Sequence, residues 1–339
     1  MPVFGYRGLK LLQEKTEMIE IKNLVKRYDR NTAVDNISFE VNDGEIMGFL
    51  GPNGAGKSTT MNILTGYLSA TEGQCLINGV DILEHPIEAK KKIGFLPEIP
   101  PLYLEMTVLE YLNFVYDLKK CTLNRKKHIA EICEVIKITD VAGRIIGNLS
   151  KGYRQRVGIA QALIGNPEVL IFDEPTVGLD PVQIIEIRNL IKSLGKNHTV
   201  ILSTHILPEV QAVCDRIVVI NKGKIVANAS AAEIEKLAVG NERFKLKVSG
   251  NPQEVLAILR GIEGVSKAER LVEDTGDPEI SAFMVEICGE GDVRKQIFFG
   301  IADKKMAILS FEPITASLED IFINLVENKA ANSAEGGNE

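Results

Sequence analysis

The 339-residue sequence lacks several features that would assign it to a particular class of protein. It contains no run of about 18 uninterrupted apolar residues, which is the length that a membrane-spanning helix needs. Its first residues, MPVFGYRGLKLLQEKTE, have no long apolar centre and no small-residue cleavage site, so we reject a signal peptide. Five widely separated cysteines form no CxxC pair, which predicts reduced core thiols in a reducing cytoplasm rather than disulfides or zinc ligands.

The composition that is present is that of a globular protein, with 45% hydrophobic and 25% charged residues. This composition excludes disorder over most of the chain and excludes collagen-like and coiled-coil architectures. The charge is uneven, since residues 1–239 carry 28 basic and 28 acidic side chains, whereas residues 240–339 carry 11 and 18. Because phosphates would repel the acidic part, we expect no nucleic acid as a partner.

Composition and hydrophobic pattern divide the sequence into four parts. Residues 1–17 are predicted to be an N-terminal extension, and residues 18–238 an α/β domain in which the stretch of about 99–165 is helical. Residues 240–328 follow the order strand–helix–strand–strand–helix–strand, which is typical of a small α+β, ferredoxin-like accessory domain. The last residues, 329–339, have little apolar content to bury and are expected to be a disordered tail.

The most specific motif is a glycine-rich loop, GPNGAGKST, at residues 51–59. It fits the pattern G-x4-G-K-[ST], with a strand-like segment before it and a helix-like segment after it. Glycines let backbone N–H groups surround phosphates, while Lys57 is expected between the β- and γ-phosphates and the hydroxyl of Ser58 on Mg²⁺. The residues predicted to bind ATP here are Gly51, Pro52, Asn53, Gly54, Ala55, Gly56, Lys57, Ser58 and Thr59.

A second motif, VLIFDE, ends in the two carboxylates Asp173 and Glu174. Its four apolar residues predict a buried strand, and α/β sheets bind ligands at the carboxyl ends of such strands. Asp173 is therefore a candidate Mg²⁺ ligand, and Glu174 a candidate general base that activates a water. Because many surface strands end in acidic residues, the motif gains weight mainly from following a phosphate loop.

The segment LSKGYRQR, at residues 149–156, resembles the signature sequence of the ATP-binding cassette (ABC) ATPases. Other elements of that family occur in order across residues 18–235. They are an adenine-stacking aromatic (Tyr28), a residue in the loop that usually carries glutamine (Glu98), an aspartate after the catalytic strand (Asp180) and the switch histidine (His205). The resemblance implies an α/β P-loop NTPase fold, with a mixed sheet core and a helical subdomain.

The resemblance also implies roles for individual residues. Ser150 and Gly152 contact the γ-phosphate of an ATP held by a partner chain, so that a homodimer encloses the nucleotide. His205 belongs to the surroundings of the γ-phosphate, and Glu98 replaces a glutamine that senses Mg²⁺ and contacts the permease. From the residues alone, Ser150 also fits an ordinary helix cap, Tyr28 an aromatic packed on its own sheet, and His205 a hydrogen-bonded surface residue.

Three functions are compatible with these motifs. We favour the ATP-binding and ATP-hydrolysing subunit of an ABC exporter, cytoplasmic and peripheral on the inner face of the cell membrane, where it drives a separately encoded integral membrane permease. Both LSKGY in place of LSGGQ and Glu98 resemble cassettes of drug, polysaccharide or gliding-motility exporters. The alternative is a soluble ABC ATPase acting on ribosomes or DNA, but the sequence has one cassette and no sustained heptads. A non-catalytic nucleotide sensor is disfavoured because Glu174 is present.

Deletion of residues 1–17 should leave folding and ATPase activity nearly unchanged, because the strand-like segment that begins at Met18 makes a natural start for the first domain. We expect the melting temperature, measured by differential scanning fluorimetry, to stay within about 5 °C of the parent. A larger fall, equivalent to roughly 1–2 kcal/mol, would show that these residues pack on the fold.

Overall fold

The computed structural model describes residues 17–29, 31–238, 242–272, 277, 279–288 and 293–314. Residues 1–16 of the predicted extension and the predicted tail, 329–339, lie outside this part of the chain. The chain divides into two compact units between Ile234 and Glu235. No helix within the described residues combines the length and the apolar character needed to cross a membrane.

Within the described residues, the chain up to Ala238 forms ten strands and eight α-helices. In chain order the strands are β1 (Glu17–Tyr28), β2 (Asn31–Asn42), β3 (Ile46–Leu50), β4 (Glu72–Ile77), β5 (Val80–Asp81), β6 (Ile93–Leu96), β7 (Val169–Asp173), β8 (Thr199–Thr204), β9 (Arg216–Asn221) and β10 (Lys224–Ser230). The helices are α1 (Lys57–Leu64), α2 (Pro86–Lys91), α3 (Val108–Leu118), α4 (Arg125–Ile136), α5 (Lys151–Leu163), α6 (Pro181–Leu194), α7 (Leu207–Val213) and α8 (Ala231–Ala238).

Two sheets form the first unit. One has the order β2-β1-β4-β5 and is antiparallel, while the other has the order β10-β9-β3-β8-β7-β6. In this second sheet β9, β3, β8, β7 and β6 are parallel, and β10 pairs with β9 in the antiparallel direction. Strands β3, β7 and β8 are buried at every position, as their mostly apolar sequences require. The predicted α/β fold with a mixed sheet is confirmed.

The parallel strands bring three functional segments to one edge of the second sheet. Leu50, at the end of β3, pairs with Thr204 of β8, and Asp173 of β7 pairs with Ser203. The glycine loop follows β3, the predicted acidic pair ends β7, and His205 follows β8. Residues that are far apart in the sequence are therefore brought to the same level of the sheet.

Short sequence motifs determine where the connections around this sheet begin and turn. Helices α3, α4 and α5 lie between β6 and β7, and Thr107 and Glu110 form the capping box that begins α3. Strands β9 and β10 form a hairpin, with Lys222 and Gly223 at φ of 47° and 78° in its turn.

The second unit has the strand and helix order predicted for a ferredoxin-like domain. Its elements are β11 (Glu242–Ser249), α9 (Pro252–Arg260), β12 (Val265–Leu271), β13 (Ile280–Ile287), α10 (Arg294–Ala302) and β14 (Ala307–Ile314). They form an antiparallel sheet with the order β12-β13-β11-β14. Side chains of the central strands and of both helices build its own hydrophobic core.

The five cysteines are free thiols. Cys75, Cys133 and Cys214 are buried, as expected for core residues, and Cys121 is half-buried. Cys288 is exposed, because it follows the last residue of β13 and lies past the packed part of that strand. The prediction of a core thiol is therefore wrong for Cys288.

Phe283 of β13 is fully buried in the core of the second unit. Phe283→Ala should destabilise this unit by about 3–5 kcal/mol, because the substitution removes buried apolar surface and leaves a cavity. Hydrogen–deuterium exchange of the β11 amides should accelerate accordingly. Leu309→Ala is the control, since Leu309 is 54% exposed. Unchanged β11 protection in Phe283→Ala would contradict this assignment of the core.

Candidate active site

The glycine loop between β3 and α1 has a backbone that requires glycine. Gly54 and Gly56 have φ of 78° and 108°, a region that other residues rarely adopt. A Cβ atom on Gly56 would also lie 2.5 Å from the carbonyl oxygen of Ala33. Helix α1 begins after Gly56 without a side-chain cap, so the N–H groups of its first turn stay available to an anion.

Lys57 is buried at the start of α1, and its ammonium group is held inside the loop. Nζ lies 2.7 Å from the carbonyl oxygen of Gly51 and 3.3 Å from that of Pro52. It also lies 3.4 Å from Oε1 of Glu174. Because a buried charge is costly unless it is paired, these contacts explain how the ammonium is tolerated at the site.

Asp173 ends β7 as a buried carboxylate. It accepts a hydrogen bond from the hydroxyl of Ser203, at 2.7 Å. Burial raises the pKa of Asp173, although the hydroxyls of Ser203 and Ser58 and the charge of Lys57 act in the opposite direction. The carboxylate of Asp173 and the hydroxyl of Ser58 thus lie near each other at the end of β7.

Glu174 and His205 meet where β7 and β8 end. Glu174 has φ of 48°, a conformation that costs a non-glycine residue about 1–3 kcal/mol, and its N–H donates to the carbonyl of Ser203 at 2.8 Å. Nδ1 of His205 lies 3.0 Å from each carboxylate oxygen of Glu174. The two residues are 31 positions apart in the sequence, and the pairing of β7 with β8 brings them together.

A cavity of about 730 Å³ lies at this edge of the sheet. Ten of the predicted site residues line it: Tyr28, Asn53, Gly54, Gly56, Lys57, Ser58, Thr59, Glu98, Glu174 and His205. Four others contact lining residues: Gly51, Pro52, Ala55 and Asp173. Tyr28 is 43% exposed, and the ammonium of Lys26 lies over its ring at 5.1 Å from the centroid. The volume lies within the range of about 300–1,000 Å³ that is usual for ligand pockets.

Part of the cavity wall was not predicted from the sequence. It consists of Asn31, Thr32, Ala33, Val177, Lys222 and Gly223. The N–H of Gly223 donates to the carbonyl of Ala55 at 2.9 Å, and its carbonyl accepts from the N–H of Asp35 at 2.9 Å. These bonds tie the β9–β10 turn to the glycine loop. The sequence signal at this turn, Asn-Lys-Gly, predicts a hairpin but gives no information on its neighbours.

Ser150, Gly152 and Asp180 are not among the lining residues and form a second group. Ser150 caps α5, and Asp180 caps α6 by accepting from the N–H of Gln183 at 2.9 Å. A Cβ atom on Gly152 would lie 2.7 Å from the side chain of Gln183, so the amino-terminal ends of α5 and α6 pack closely. Within one chain, the signature residues Ser150 and Gly152 therefore do not line the cavity that contains Lys57.

Comparison with known proteins connects this geometry to a family. The family model described as ABC transporter matches residues 34–177. The ABC transporter ATP-binding protein YhcH of Bacillus subtilis (strain 168) is 34% identical over 313 residues, which cover 91% of this chain and 95% of YhcH. The chain belongs to the ABC transporter ATP-binding proteins. The bacitracin transport ATP-binding protein BcrA of Bacillus licheniformis is 38% identical over 221 residues, covering 65% of this chain and 72% of BcrA.

Solved structures support the same family. A dimeric ATP-binding cassette in a post-hydrolysis state, bound to ADP and Pi, matches with a TM-score of 0.58 and 28% identity, covering 63% of this chain and 99% of that chain. An ATP-binding subunit of an ABC transporter matches with a TM-score of 0.59 and 28% identity, covering 65% of this chain and 92% of that chain. The predicted family, fold class and ATP-hydrolysing activity of this ABC ATPase are confirmed.

Lys57→Ala should weaken ATP binding, because it removes the ammonium group that the glycine loop encloses. The loss of a charge-assisted hydrogen bond is worth about 1.5–3 kcal/mol, or roughly 10- to 100-fold in Kd, which titration with a fluorescent ATP analogue measures. Lys90→Ala is the control, since Lys90 also donates to a backbone carbonyl, that of Gly66, and is not among the lining residues. Equal affinities for both variants would contradict the assigned role.

Proposed function

We propose that this ABC ATPase is a cytoplasmic subunit, peripheral on the inner face of the cell membrane, that drives an integral membrane permease of exporter type. In this proposal ATP binding closes a homodimer and hydrolysis reopens it, so that the permease changes between two states. The observation that carries the proposal is the meeting of Lys57, Glu174 and His205 around one cavity.

Glu174 is the proposed general base for hydrolysis. Its carboxylate lies 3.4 Å from the ammonium of Lys57, which is expected to bind the terminal phosphates. A carboxylate in this position accepts a proton from the attacking water while the oxygen of that water bonds to phosphorus and ADP leaves. His205, whose Nδ1 lies 3.0 Å from Glu174, is proposed to orient the carboxylate, and it lines the same cavity.

The residues present also fit a magnesium ion. Ser58 and Asp173 supply a hydroxyl and a carboxylate that lie near each other, and Glu98 lines the same cavity as Ser58. Mg²⁺ prefers oxygen ligands and is usually held by one or two carboxylates together with waters and substrate phosphates. When bound, Mg²⁺ would neutralise charge on the β- and γ-phosphates.

The position of the signature residues supports a site that a second copy completes. Ser150 and Lys151 are exposed at the start of α5, and neither lines the Lys57 cavity of the same chain. The amino-terminal end of a helix attracts anions through its N–H groups and its dipole. We infer that Ser150 and Gly152 contact the γ-phosphate bound by the partner copy, as the similarity to a dimeric cassette also suggests.

The segment after Glu98 supports a membrane partner. It exposes large hydrophobic side chains, with Ile99 82%, Tyr103 52% and Leu104 50% exposed. The ring of Tyr103 packs edge-on against Phe114, with 5.3 Å between centroids. Because monomers rarely leave such side chains uncovered together, we propose that this surface receives the permease. The relative named for bacitracin transport supports a permease of the drug-exporter class.

Glu174→Gln should separate ATP binding from hydrolysis, because glutamine keeps the shape of the side chain but cannot accept a proton. The turnover rate should fall about 10²–10⁴-fold while ATP affinity stays near that of the parent. With Mg-ATP the variant should elute from gel filtration as a dimer, and ADP should not support this dimer.

Two variants serve as references for that experiment. Glu168→Gln places the same substitution just before β7, at the far end of the strand, and should hydrolyse ATP like the parent. Lys57→Ala should not dimerise, since it binds ATP poorly. A Glu174→Gln protein that stays monomeric and hydrolyses ATP at the parental rate would overturn both the general base and the shared site.

A further inference from the structure

We propose that Glu209, on α7, is a positioning residue for ATP hydrolysis. Its carboxylate accepts hydrogen bonds from the hydroxyls of Thr176 and Thr204. Thr176 lies two residues after Glu174, and Thr204 immediately precedes His205. The inference rests on the catalytic roles proposed for Glu174 and His205. Glu209 is not among the residues that line the cavity, so it acts through other groups rather than on the nucleotide.

The carboxylate of Glu209 is buried, with 1% of the residue exposed, and has several polar partners. The hydroxyl oxygen of Thr176 lies 2.7 Å from both carboxylate oxygens, and that of Thr204 lies 3.1 Å from Oε2. Nη2 of Arg188, on α6, lies 4.0 Å from Oε1. A buried carboxylate with these partners is fixed in orientation, because breaking any one contact leaves a polar group unsatisfied.

The two threonines belong to the segments that carry the catalytic side chains. Thr176 lies two residues after Glu174, in the connection that follows β7. Thr204 is the last residue of β8 and immediately precedes His205. By accepting hydrogen bonds from both threonines, Glu209 ties the connection after β7 to the end of β8. The distance between the two catalytic side chains depends on this tie.

The hydroxyl of Thr204 lies between two carboxylates. Its oxygen is 3.1 Å from Oε2 of Glu209 and 3.3 Å from Oε2 of Glu174. A hydroxyl has one hydrogen, so it donates to one carboxylate at a time, and the N–H of Ile206 donates to the same oxygen at 3.2 Å. When the hydroxyl donates to Glu209, Oε2 of Glu174 keeps its lone pairs for the proton of the attacking water.

The backbone of Glu174 also needs this support. Its φ of 48° is strained, and such conformations persist only where the surrounding contacts fix them. The N–H of Glu174 donates to the carbonyl of Ser203, and the Thr176–Glu209 bonds fix the chain on the other side of Glu174. Loss of the Glu209 charge should therefore displace the base, while the contacts of the Lys57 loop remain.

Glu209→Gln tests the proposal, because it keeps the size of the side chain and removes its charge and one acceptor. The turnover rate should fall about 10- to 100-fold, the effect expected when a catalytic group is misplaced by about 1 Å. The KM for ATP and the Kd of a fluorescent ATP analogue should stay within about threefold of the parent, because binding is not affected.

Glu45→Gln is the matched control. Glu45 is a partly buried carboxylate that also contacts an arginine, with 2.6 Å between its Oε1 and Nε of Arg216, just before β3 and away from the cavity. Its loss should lower the melting temperature without lowering the turnover rate of the folded protein. If Glu45→Gln lowers the turnover rate as much as Glu209→Gln does, general destabilisation is the cause and the proposal is overturned.

Thr176→Val provides a second and milder test, since it removes only the hydroxyl group that donates a hydrogen bond to Glu209. It should lower the turnover rate in the same way, and it decides the matter if Glu209→Gln does not fold. The double variant should be no slower than the slower single variant, because both substitutions break one connection and their effects do not add. Additive effects would show that the two residues act separately, which would overturn the proposal.

Dimer formation distinguishes a positioning role from structural damage. If Glu209→Gln binds ATP normally but hydrolyses it slowly, more dimer should accumulate with Mg-ATP than for the parent, whereas damage should reduce the dimer. Parental turnover in both Glu209→Gln and Thr176→Val would overturn the inference. The proposed function would fail, independently of the role of Glu209, if Glu174→Gln hydrolysed ATP at the parental rate.

Discussion

The register between β3, β7 and β8 is the constraint on which the active site depends. Leu50 pairs with Thr204 and Asp173 pairs with Ser203, so the three strands end at one level. Each strand is buried along its whole length, and a slip of one residue would turn its side chains to the opposite face. The packing that stabilises the sheet therefore also sets the spacing of the phosphate loop, the carboxylates and the histidine.

Several buried charges are concentrated at that edge. Lys57, Asp173, Glu174 and Glu209 are 6, 4, 5 and 1% exposed. Burial of an isolated charge costs several kcal/mol, so such a cluster is weak evidence for a contribution to stability. One ammonium among three carboxylates leaves an excess of negative charge, which Arg188 offsets only in part from 4.0 Å. A nucleotide that arrives with Mg²⁺, as proposed, would bring both the anion for Lys57 and the cation for the carboxylates.

The glycine loop and the two carboxylates after β7 could be predicted because each motif contains its own structural context. A glycine loop between a strand and a helix, or an acidic pair after an apolar strand, is complete within about ten residues of sequence. Glu209 and Lys222 could not be found in this way. The partner Thr176 is 33 residues from Glu209, and Lys222 reaches the cavity only because the β9–β10 turn bonds to the glycine loop. Contacts of this kind follow from tertiary packing, which local patterns do not encode.

The strained backbone of Glu174 explains why the site needs support from such distant contacts. In a regular strand, adjacent side chains point to opposite faces, so Asp173 and Glu174 could not both contact the start of α1. The left-handed conformation of Glu174 ends the strand. Asp173 then lies near Ser58, while Glu174 lies 3.4 Å from Lys57. Hydrogen bonds to neighbouring segments offset the cost of this conformation, about 1–3 kcal/mol. The geometry of Glu174, the proposed general base, is therefore expected to depend on β8 and α7 as much as on its own strand.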